Sequence, residues 1–137
     1  MTVVPEAQPD HWLLRLSAPE WLAAARVELD ASTAALSARQ QRKGVANARR
    51  AAGMALNAVL VLRPDDAWGR SYMDHVRIVA GSPLIPDAVR QAAQALVDAP
   101  MDAPLLVGLG SGSVGSARAA AVVLAWCERE VGLLLAP

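Results

Sequence analysis

The 137-residue sequence has no phenylalanine, one tyrosine, one cysteine and one lysine, and no net formal charge. Each scarcity excludes something. The lone Cys127 excludes an intramolecular disulfide, and no His/Cys spacing of a zinc site accompanies it. The lone Lys43 does not sit in a glycine-rich phosphate loop, so that cradle for a nucleotide is excluded. Thirteen basic residues balance thirteen acidic ones. A chain gripping nucleic acid by overall basic charge is therefore excluded, and only a local basic patch is left. The longest uncharged run, Ala103 to Ala117, is broken by Gly108, Gly110, Gly112 and Gly115 and interrupted by Arg118. It falls short of the roughly 20 apolar residues a membrane span needs. The opening Met1-Thr2-Val3-Val4-Pro5-Glu6 has neither the basic nor the apolar region of a secretory signal. A cytoplasmic protein without cofactor, metal or membrane association is predicted.

What is present is apolar and small. Hydrophobic residues make up 54% of the chain and charged residues 19%, the opposite of a disordered composition. About a fifth of the positions are alanine, the best helix former, and only 4% are aromatic. The length suits one domain spanning residues 1–137, with 1–16 as a lead-in that docks through Trp12, Leu13, Leu14 and Leu16. Ser17-Ala18-Pro19-Glu20 reads as a capping box with proline in the first turn. Leu22, Ala25, Leu29, Ser32 and Leu36 follow at helical spacing, predicting a helix over 18–38. Gln40 to Gly44 reads as a turn, and a second helix over 45–62 buries Ala48, Ala52, Ala55, Leu56, Val59 and Leu62. Asp65-Asp66 predicts the cap of a third helix over 66–80, closed by Gly81 in a left-handed conformation. Pro86 opens a fourth helix to 98, with Ala88, Val89, Ala92, Ala95 and Leu96 inward, and the last helix covers 114–135. The expectation is an all-α, compact antiparallel bundle of about five helices.

Few side chains offer chemistry. Gly110-Ser111-Gly112-Ser113-Val114-Gly115 matches a dinucleotide-binding turn, but too little chain follows for the second parallel strand that such a unit requires. The segment reads instead as a glycine-rich loop at a helix start. Arg70 and His75 fall on the predicted third helix. As a metal-free ribonuclease pair, His75 would move the proton and Arg70 would steady phosphorane charge, with Tyr72 or Asp74 in support. Five residues apart, they point about 140° from each other on an ideal helix. The competing reading is two ordinary surface residues, with Tyr72 and His75 on the groove side of the helix. Arg39, Arg42, Lys43, Arg49 and Arg50 form the one basic cluster, either a solvated face or a patch for nucleotide or RNA phosphates. Trp21, Trp68 and Trp126 read as core or interface anchors.

Four segments add a resemblance. Trp21 to Ala31 resembles the opening helix of HEPN-domain proteins, and Arg49 to Leu60 resembles that family's second helix. Tyr72 to Val79, and then Ile85-Pro86 through Asp98, resemble the next two. The resemblance spans about residues 12 to 135. It implies a helical bundle that commonly homodimerises, in a family of ribonuclease toxins, partners of minimal nucleotidyltransferases and inactive nucleotide- or RNA-associated modules. Gly53 and Asn57 stand where the family has an acid and a lysine, and no Arg or His lies between Asp98 and Val114. The family's ribonuclease spacing, Arg then His, is met only by Arg70 and His75. The resemblance therefore implies a non-catalytic accessory module, with a metal-independent ribonuclease as the alternative.

Overall fold

The computed structural model describes residues 12–101 and 115–137. It is all-helical: α1 (Ala18–Ser37), α2 (Gln41–Leu62), α3 (Tyr72–Gly81), α4 (Asp87–Asp98) and α5 (Gly115–Leu135), with short 3-10 turns at Trp12–Arg15 and Asp66–Trp68. Among the described residues there is no strand.

Helix α1 begins as its sequence dictates. The Ser17 hydroxyl accepts from the Glu20 N–H and the Glu20 carboxylate accepts from the Ser17 N–H, closing the capping box. It ends in a Schellman turn: the Gln40 N–H donates to the Ala35 carbonyl and Arg39 takes a left-handed φ of 60°. The helix then restarts at Gln41, earlier than the predicted 45. Gly44 is not a breaker but a point of close approach. A Cβ there would lie 2.4 Å from Leu36, and Ser32 donates its hydroxyl to the Gly44 carbonyl at 2.7 Å. The missing side chain lets α1 and α2 close into a tight hairpin.

Helix α2 is the axis of the bundle, packing on α1, α3 and α5 and touching α4. Its burial is continuous from Ala55 to Leu60, so neighbours cover every face. The small residues Ala48, Ala51, Ala52 and Ala55 permit that crowding. Two amides are buried with them, Asn47 and Asn57; Asn57 is fully enclosed, and neither of its amide atoms is hydrogen-bonded. Leu13 is also buried, and its carbonyl accepts from the Trp21 indole at 3.0 Å, which ties the Trp12–Arg15 turn to α1; residues 1–11 of the predicted lead-in lie outside the described residues. Trp126 is buried in α5, and the buried Cys127 thiol has its pKa raised by desolvation, with the Glu130 charge adding to it. It is an inert packing group.

The third helix departs from expectation. Asp65 caps only the single turn Asp66–Trp68, because Gly69 takes φ 76°, ψ −167° and breaks the path. A second capping box then starts α3, with Ser71 and Asp74 bonded reciprocally. Arg70 thus lies before the helix and not on it. Gly81 is the last residue of α3 and is not left-handed, since the chain leaves through an extended Ser82, the backbone that Pro83 demands of its predecessor. In α4 the buried residues are Val89, Ala92, Ala93 and Leu96, while Ala88 and Ala95 face solvent instead of the core. A three-and-four spacing anchored on Val89 and Leu96 sets the face, and alanine is too small to contest it.

Candidate functional site

The structure separates the predicted pair. His75 is fully buried, and its Nε2–H donates to the Gly69 carbonyl at 3.0 Å, with the Trp68 ring 6.3 Å from its own. Burial lowers its pKa, against smaller opposing effects of the Gly69 bond and the Asp74 charge, so the imidazole is neutral. Arg70 stands exposed on the bend before α3. Asp74 is held by the Ser71 capping bonds, backbone and side chain, which lower its pKa. It serves the helix start. Arg70 and His75 share a local turn but not an open cleft.

The basic cluster also divides. Arg49 is half-buried and clasps the end of α4. Its guanidinium donates to the carbonyls of Leu96 (2.9 Å), Val97 (3.2 Å) and Ala99 (3.2 Å) and to the Met101 sulfur. These carbonyls are the orphaned acceptors of a helix C-terminus, where a cation is also favoured by the helix dipole. Arg50 donates to Glu28 of α1 at 3.0 Å. Arg39, Arg42 and Lys43 lie exposed at the α1–α2 turn. They surround a helix start of an unusual kind: Gln40 makes no side-chain cap, and the first turn of α2 contains no acidic residue.

A third arrangement centres on Tyr72. Its ring lies directly on α2, where a Cβ on Gly53 would come within 2.2 Å of the Tyr72 Cβ. Burial raises the pKa of the hydroxyl, and the charges of Arg50, Glu28 and Arg15 all bear on it. Sequence reasoning placed Tyr72 beside His75 and missed Arg15 and Glu28. Their partners come from four different segments, and no spacing along the chain signals that.

Among the described residues no group of three or more His, Cys, Asp or Glu is placed to hold a metal. No described helix is long and apolar enough to cross a membrane. The glycine-rich segment before α5 lies outside the described residues, apart from Gly115. Comparison with family models, curated proteins and solved structures finds no match to the chain.

Proposed function

We propose that the chain is a HEPN-like accessory module that holds nucleotide or RNA phosphates at the α1–α2 turn without cleaving them. The observation that carries this reading is the electrostatics of that turn. Arg39, Arg42 and Lys43 crowd the positive end of a 22-residue helix whose first turn carries no acid. Cations there oppose the helix dipole, whereas a phosphate is favoured both by the positive charge of these side chains and by the helix N-terminus. The burial of His75 supports a non-catalytic role, because a general acid or base must reach the proton it moves. The reading extends to a homodimer, for which exposed apolar side chains such as Val27, Leu84 and Leu133, 67%, 93% and 72% exposed, offer surface to bury. It also extends to partnership with a nucleotidyltransferase in a toxin–antitoxin-type pair.

Fluorescence anisotropy with a labelled single-stranded RNA and with labelled ATP tests the binding face. The triple variant Arg39→Ala/Arg42→Ala/Lys43→Ala is expected to bind at least about tenfold more weakly. Equal binding by variant and wild type refutes the assignment. The same RNA incubated in EDTA is expected to stay intact; cleavage that disappears in His75→Ala would establish the ribonuclease alternative instead. Light scattering after size exclusion is expected to give the mass of two chains, and a monomer at tens of micromolar removes the dimer from the reading.

A further inference from the structure

The outer sides of α4 and α5 carry charge in a pattern that the bundle itself does not use. The two helices pack as neighbours, and their contacts with α2 fix their directions. Arg49 grips the carbonyls of Leu96 and Ala99, while Gln41, about two turns earlier on α2, donates to the Pro100 carbonyl at 2.9 Å. Helix α4 therefore runs against α2. Glu130, in the second half of α5, pairs at 3.6 Å with Arg63 just past the end of α2, and α5 packs along α2, so these two run together. Helices α4 and α5 are thus antiparallel, with Asp98 toward the Arg118 end and Asp87 toward the Arg129 end.

Asp87 and Asp98 are eleven residues apart, as are Arg118 and Arg129, and all four are exposed. Eleven residues make about three turns and rise about 16.5 Å, so each pair keeps to one side of its helix at the same separation. Neither arginine side chain is bonded to another described residue. Asp87 gives one oxygen to Arg90 and Asp98 gives one to Gln94, which leaves an open oxygen on each. Between the charges lie the exposed Ala88 and Ala95 of α4 and Ala121 and Val122 of α5. Leu84 and Leu133 stand exposed just beyond Asp87 and Arg129, at the same end of the layer.

A second copy can face this layer about a two-fold axis that runs across the helices or along them. The first axis sets like helices on each other, bringing Asp87 to Asp98 and Arg118 to Arg129. Like charges opposed in this way are costly. The second sets α4 of each copy on α5 of the other. Asp87 then meets Arg129, Asp98 meets Arg118, and Leu84 meets Leu133. We propose that a second copy of this chain docks on the α4–α5 layer about the axis parallel to the helices. The proposal rests on the homodimer reading above and narrows its surface to this layer, leaving Val27 of α1 outside.

Arg118→Asp and Asp98→Arg provide the test. Each places at an exposed position the charge its helix end favours, an acid in the first turn of α5 and a base at the end of α4. Far-UV circular dichroism is therefore expected to be unchanged. Each variant alone opposes like charges twice per dimer, and light scattering is expected to show dissociation at least about tenfold easier than in wild type. Mixing the two variants makes both pairs opposite again. Native mass spectrometry, with one variant 15N-labelled, is expected to find the mixed dimer. Leu133→Ser is expected to weaken the dimer, and Val27→Ser to leave it unchanged. A wild-type dimer that survives both charge variants, or a mixture without mixed dimer, overturns the proposal and leaves the homodimer reading standing. A monomeric wild type overturns both.

Discussion

At the scale of single residues, His75 shows how position overrides chemical type. A histidine five residues from an arginine reads as a pair for phosphate chemistry, but this one is enclosed and tied to the Gly69 carbonyl. Its neutral form is the one the fold accepts, because burial lowers its pKa below the ordinary value of 6.5. The sign of the pH dependence follows. Above 6.5 the imidazole is neutral in both folded and unfolded chains, and its contribution to stability is intact. As pH falls below 6.5 the unfolded chain takes up a proton that the folded chain refuses, so stability declines until the folded-state pKa is passed. The slope from this one group is at most about 1.4 kcal/mol per pH unit. Urea denaturation of wild type at pH 7.5, 6.0 and 5.0 is expected to show this loss, and His75→Gln, whose amide keeps a donor without titrating, is expected to flatten it. Parallel curves for the two proteins would mean that His75 is accessible to protons in the native state. That outcome would also reopen its candidacy as an acid or base.

At the scale of elements, legibility depended on whether the signal lay within one segment. The Ser17–Glu20 box, the α1 stripe and the Pro86 start were readable because cap, proline and periodicity sit side by side. The start of α3 was misplaced because two N-terminal signals compete: Asp65-Asp66 caps a single turn, while Ser71 and Asp74 cap the helix after Gly69 breaks the path. Gly44 and Gly53 looked like a breaker and a departure from a family pattern. Each serves an approach by a distant residue, Leu36 or Tyr72, that no local pattern announces. Arg49 is the same case for the candidate site. In sequence it belongs to a basic cluster, and in the fold it is the C-terminal clasp of α4, nearly fifty residues away. Replacing it with methionine keeps the buried stem and removes every donor to those carbonyls. Arg49→Met is expected to destabilise the protein by about 2 kcal/mol, the scale of charged hydrogen bonds lost from part-buried acceptors. Faster amide exchange in the last turn of α4 should accompany the loss. RNA affinity should be unchanged, and a fall in affinity as large as that of the turn variant would place Arg49 on the binding face after all.

At the scale of the whole molecule, the forces that hold the bundle and those proposed to hold its ligand differ in kind. The core is alanine, valine and leucine closed around α2. Ion pairs between helices, Arg26 with Glu128, Arg50 with Glu28 and Arg63 with Glu130, lie at the surface with each arginine about half exposed. Pairs of that kind contribute about 0–1 kcal/mol each and are screened by salt. Stability should therefore respond little to ionic strength, while phosphate contacts through Arg39, Arg42 and Lys43 should respond strongly. Three cations on a single strand give a log–log slope of about −2, so affinity falls about a hundredfold over a tenfold rise in salt. The paired measurement is a urea midpoint and an RNA titration at about 50 and about 500 mM NaCl. The midpoint is expected to hold while the affinity collapses. Affinity that persists at high salt would shift the interaction to the exposed apolar side chains. A midpoint that moves as steeply as the affinity would instead make the ion pairs, and not the small-residue core, the main support of the fold.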